Sequence, residues 1–130
     1  MATAFREPNQ VKWVGVRPGH NGDQIHEYGT AVGATTVVYT VPADKILLLF
    51  GFNLITSCTV AGTASLGIYT AVPALHRYLS AGTVRANFSM TISQDYVVPI
   101  EIAAAYSIRA ISPAGTLDIT ACINGILIDA

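Results

Sequence analysis

Charge is scarce in this chain. Asp, Glu, Lys and Arg make up only 12% of its 130 residues, about half the share usual in soluble domains. Between Ile46 and Ala130 only Arg77, Arg85, Asp95, Glu101, Arg109, Asp118 and Asp129 are charged. A net charge of -1 excludes a general electrostatic pull toward nucleic acid or an anionic membrane. With 52% hydrophobic residues the chain is too apolar to be disordered. Long apolar runs are also missing: the longest, Ile46 to Phe52, falls far short of the ~20 residues of a membrane helix. Met1 to Pro8 shows no apolar core behind a basic end, so no signal peptide is expected and folding in a cytoplasm follows. Cysteine is limited to Cys58 and Cys122, which in a reducing compartment pack as two plain thiols.

Chemical motifs are sparse too. The chain has no Gly-x-Ser-x-Gly elbow, no phosphate-cradling glycine loop and no interleaved basic-aromatic stretch. His20, Asp23 and His26 share one segment, yet a glycine-containing loop does not impose the four-ligand geometry of structural zinc. Glu101 and Asp118 fall on segments that read as neighbouring strands, but paired acids hydrolyse glycosides only at a defined separation. His76-Arg77 reads as an exposed turn pair. No enzyme is expected, and no catalytic residue, metal or cofactor is assigned.

What the chain does have is alternation. Through Gly33 it is glycine-rich and comparatively charged, with Arg6, Glu7, Lys12, Arg17, Asp23 and Glu27. Residues 1–34 therefore read as an extended N-terminal arm, and 35–130 as one domain. From Thr35 a period of two sets in: Thr36 to Val41, then Lys45 to Ile55 with apolar residues on both faces, as in a central strand covered on each side. Ala64 to Thr70, Val84 to Ser93 and Tyr106 to Ser112 read as further strands. Pro99 within Tyr96 to Ile102 confines that strand to an edge or a bulge. Leu117, Ile119, Ala121 and Ile123 alternate most clearly, until Gly125 signals a bulge or bend. Val72 to Leu79, with Pro73 at a first turn, reads as a short helix. Many short strands with glycine and proline turns make an all-β sandwich or barrel.

The order of these signals resembles small bacteriophage virion domains. Val38-Tyr39-Thr40-Val41-Pro42-Ala43-Asp44-Lys45-Ile46 is similar to their opening strand and "TVPAGK" turn. Tyr96 to Ile102 with Ser107 to Ala110, and Leu117 to Ile128, resemble their later segments. Asp44 and Ala105 stand where that family carries glycine. Over residues 36–128 the resemblance implies a jelly-roll-like β-sandwich, usually trimeric, used for capsid decoration, for neck or collar attachment, or in fibres.

A structural virion protein is thus expected, assembled in the host cytoplasm, self-associating as a trimer and cementing the capsid by contact with the major capsid protein. Contact with nucleic acid or membrane is not. The arm's Phe5, Trp13 and Val14 are large apolar residues in a segment that cannot bury them alone, so they either anchor a partner or fold back on the sandwich. Arg17 is a candidate for pairing with an acidic neighbour. A neck or tail component is one alternative. Another is a carbohydrate- or receptor-binding module that uses Tyr28, Tyr69, Tyr78 and Tyr106.

Overall fold

The computed structural model describes residues 22–130. Eight strands carry about three quarters of them: β1 (Asp23–Val32), β2 (Thr35–Thr40), β3 (Lys45–Cys58), β4 (Gly62–Tyr69), β5 (Leu75–Val84), β6 (Ser89–Ile102), β7 (Ser107–Ile111) and β8 (Leu117–Asp129). They form two four-stranded antiparallel sheets of order β1-β8-β3-β6 and β2-β7-β4-β5. Apart from the β4–β5 hairpin, every connection crosses from one sheet to the other. That is the jelly-roll arrangement of a β-sandwich, in agreement with the expected fold class.

Alternation decides which side chains fill the space between the sheets. On β8, Leu117, Ile119, Ala121 and Ile123 are fully buried while the residues between them face outward. On β3 the inward set begins as Leu47 and Leu49, then continues as Phe52, Leu54, Thr56 and Cys58. The change of parity comes from one extra residue, Phe50, where the register against β8 steps between Leu49 and Gly51. A bulge of this kind keeps both halves of a long strand facing the same core. Gly125 lies opposite Leu49 at this step, so the disruption expected at the glycine sits on its partner strand. On the other side of β3, Tyr96 to Pro99 loop out of the β6 ladder between Asp95 and Ile100. Pro99 therefore occupies both an edge strand and an irregularity, where its missing N–H breaks no ladder.

Three expectations are corrected. The boundary near residue 34 runs too late, because Asp23 to Val32 pair with β8 from Leu127 to Asp118. Residues 23–32 thus belong to the sandwich, and their pattern is weak because β1 is an end strand that buries only Ala31 fully. The stretch Val72 to Leu79 holds no helix: Val72 and Pro73 lie in the hairpin turn, and Leu75 onward pairs with β4. Cross-strand pairing replaces the face that a lone helical turn has nothing to bury against. Finally, Val84 closes β5 and does not open the next strand; Arg85 to Phe88 make the turn.

That turn is one of three with the same backbone. The amides of Lys45, Phe88 and Tyr106 bond the carbonyls of Pro42, Arg85 and Ala103, three residues back. The third residue of each turn is left-handed: Asp44 (φ 70), Asn87 (φ 60) and Ala105 (φ 68). Asp and Asn tolerate this region, whereas alanine pays a steric penalty there. Asp44 and Ala105 are also the two sites at which the resembling family carries glycine. Ala105→Gly is therefore expected to stabilise the fold by about 0.5–1 kcal/mol, the relieved strain outweighing glycine's extra unfolded-state entropy. The urea midpoint checks it, and an unchanged or lower midpoint contradicts the strain.

A buried hydroxyl ties two further turns together. Ser112 accepts the Gly33 amide at 2.9 Å and donates toward the carbonyls of Leu117 (2.6 Å) and Ala114 (3.0 Å). Its own amide bonds the Ala34 carbonyl at 3.0 Å. The β1–β2 corner is thereby fastened to the β7–β8 corner, and backbone groups that the ladders leave over find partners.

Candidate interaction surfaces

Strand pairing fixes what the β1-β8-β3-β6 sheet shows to the outside. Gln24, His26, Tyr28, Thr30 and Val32 of β1 lie beside Ile126, Asn124, Cys122, Thr120 and Asp118 of β8. On the far side of β8 come Ile46, Leu48, Asn53, Ile55 and Ser57 of β3. Among these outward positions Asp118, at the rim, is the one formal charge. Tyr28 is 72% exposed, Ile55 51% and Val32 48%; Ile46, Leu48, Ile126 and Ile128 are half-buried. The interior position expected of Lys45 to Ile55 holds, but the cover expected on its outer side is incomplete among the described residues. Hydroxyls and amides fill the rest: Thr30 pairs with Thr120 (3.2 Å), and Ser93 donates to Asn53 (2.6 Å). A depression of about 400 Å³ lined by Gln24, His26, Phe50, Asn124 and Ile126 marks the bulge on this face.

The second sheet presents a different surface. Tyr69 lies beneath the Arg109 guanidinium, 5.0 Å from ring centroid to carbon, and Arg109 Nε donates to Ser107 Oγ at 2.9 Å. His76 meets Tyr106 edge-on at 5.6 Å. The exposed Tyr78 is paired with Gly67, beside this group. Tyr69 and Tyr78 thus lie on one sheet, with Tyr106 half-buried in the turn before β7, whereas Tyr28 stands apart on the other sheet. Tyr39 has its phenol pKa raised by burial and by Glu27 and Asp23, and Tyr96 by burial, against a smaller opposite pull from Arg77.

Phe5, Trp13, Val14, Arg17 and His20 lie outside the described residues. Asp23 and His26 lie on β1, and among the described residues no three His, Cys, Asp or Glu side chains converge. Glu101 and Asp118 share a sheet but not a site. Their β3 partners, Leu48 and Ser57, stand nine positions apart (57 minus 48), roughly 25–30 Å along a strand. That is too far for two acids flanking one glycosidic bond. Cys58 points inward, its thiol 3.0 Å from the Arg85 carbonyl; Cys122 faces outward on β8, and both are free. Lys45 and Asp129 join the start of β3 to the end of β8 at 2.7 Å. This hydrogen-bonded pairing raises the lysine pKa and lowers that of the carboxyl.

No protein-family model matches the chain, and no curated protein matches it either. Among solved structures, one from work on Bacillus endospore appendages, described as a novel family of disulfide-linked pili, aligns with a TM-score of 0.45 and 9% identity, covering 94% of this chain and 98% of that one. A likeness of that degree assigns nothing to this chain.

Proposed function

We propose that this chain is a structural component of a bacteriophage virion, a self-associating jelly roll that decorates and cements the capsid. The observation that carries the reading is the outer face of β1, β8 and β3, whose own outward positions hold one charge and are otherwise Thr, Asn and apolar residues, with Asp95 and Glu101 of β6 at its margin. Such a face dissolves through its hydroxyls and amides, yet few ions must be stripped of water when a neighbour covers it. A major capsid protein is the neighbour proposed, with a trimer as the assembled form and a neck or collar position as the alternative. Within this reading residues 1–21, with Trp13 and Phe5, extend the attachment beyond the sandwich.

Mass measurement of the purified chain tests the reading. A stable oligomer, a trimer, is expected at micromolar concentration, and a soluble monomer there refutes it. A chain without residues 2–21 is expected to keep its oligomer and lose binding to the particle. One observation favours a second reading. Tyr69, Tyr78 and His76 lie on the β2-β7-β4-β5 sheet, with Tyr106 in the turn beside them, as an aromatic platform for a carbohydrate would. A glycan array without a binder rejects that reading.

A further inference from the structure

The two long sides of the sandwich differ. On one side β1 and β2 abut, with a Cβ on Gly29 only 3.3 Å from Val38 Cα. On the other side the sheets end in β5 and β6, which among the described residues pair only with β4 and β3. Leu79, Met90, Ile92, Tyr96 and Ile100 pack on the core from these two strands but remain half-buried. Val97 is 100% exposed and Val98 79%, both on β6. Apolar side chains between two unpaired edges are a liability for a chain that stays alone.

The edges are blunted over only part of their length. β5 carries extra residues at His76 and Leu79, and β6 loops out at Tyr96 to Pro99. Ser80 to Val84 and Ser89 to Gln94 are regular and uncharged. These two regular stretches flank the Arg85 to Phe88 turn, so they lie at the same level of the sandwich.

Charge says what meets this side. β5 and the turn after it hold Arg77 and Arg85 and no acid, whereas β6 holds Asp95 and Glu101 and no base. The ladders set the two at one height: Arg77 pairs with Ile68, six rungs from the Val84–Gly62 pair at the turn, and Asp95 pairs with Gly51, six rungs from the Ser89–Ser57 pair. The turn reverses the chain, so β5 and β6 run in opposite directions. A rotation axis parallel to the strands preserves height, so it sets β5 of one copy antiparallel to β6 of the next. Under that rotation the strand position of Arg77 comes level with that of Asp95, and the two regular stretches face each other. The side is complementary to itself, and such matching selects a copy of the same chain over other partners.

We propose that this open side, β5 of one copy against β6 of the next, is the surface through which the chain self-associates. The inference rests on the self-associating reading above and names its surface; the outer face of β1, β8 and β3 is left for a different partner. Sedimentation of three proteins tests it. Relative to wild type, Arg77→Asp is expected to weaken the oligomer by about a hundredfold, because two acids then come level. Arg77→Asp combined with Asp95→Arg is expected to restore it to within about threefold.

Hydrogen exchange on the unaltered protein, above and below its dissociation concentration, gives a readout that needs no variant. Added protection is expected within Leu75–Val84 and Ser89–Ile102. A wild-type oligomer indifferent to Arg77→Asp, or one whose added protection falls on β1 and β8, overturns this inference and leaves self-association standing. A wild type that is monomeric at every concentration removes both.

Discussion

Gly125→Ala is expected to destabilise the sandwich by about 3 kcal/mol, at the upper end of the usual cost of overpacking. Phe50 adds a residue to β3 next to Leu49, the partner of Gly125, where the register against β8 steps. A methyl group on Gly125 would overlap the Leu48 carbonyl oxygen and lie 2.9 Å from Leu47 Cδ1. The first of these is backbone, held in ladders on both sides, and it cannot swing away as a side-chain tip does. Either the bulge shifts or the central β8–β3 ladder opens. Gly115 supplies the contrast, since a Cβ there meets nothing within 4 Å, and Gly115→Ala is expected to change stability by less than ~1 kcal/mol. Urea unfolding of both variants decides the matter. Equal midpoints would mean that the bulge relaxes freely.

Gly125 was legible as punctuation because the alternation before it is so regular. Leu117, Ile119, Ala121 and Ile123 meet the core in strict succession, and Gly125 takes the next inward place with no side chain to fill it. The partner strand hid the other half. Ile46 to Phe52 is apolar at every position but Gly51, so no pattern within it betrays that Phe50 is the extra residue. The change of face shows only when Leu49 and Phe52 are both found buried.

Two of the four end strands, β1 and β5, were the least legible elements, for the same physical reason. A strand with one partner and a side toward solvent has little to alternate between. β1 buries one residue fully, Ala31, and β5 buries one, Val84. One was therefore read as arm and the other as helix. Two of the left-handed turn residues, Asp44 and Ala105, are positions where the chain departs from the glycines of the virion-domain pattern, and alternation marks neither. The surfaces argued to carry function were legible only as a shortage of charge. Where the acids and bases divide between β5 and β6 depends on a fold that brings those two edges to one side.

Leu54→Ala is expected to cost about 3–4 kcal/mol, within the range for truncating a fully buried leucine. Leu54 is 0% exposed and sits in the middle of β3, paired with Ile92 of β6 and Ala121 of β8. Ala121 has no side chain to lean into the space, and Ile92 belongs to the half-buried open side. The cavity is therefore expected to stay open, and the penalty for residual volume adds to the lost transfer energy. Ile55, the next residue, points the other way and is 51% exposed. Ile55→Ala is expected to leave the unfolding midpoint within about 1 kcal/mol of wild type. It removes one of the largest apolar groups from the face proposed to meet the capsid, so particle binding is expected to weaken while stability holds. Unfolding and particle co-sedimentation on the same two variants separate the faces of β3. Loss of stability from Ile55→Ala, or its retention in Leu54→Ala, would reverse the inward and outward assignment on which both surfaces depend.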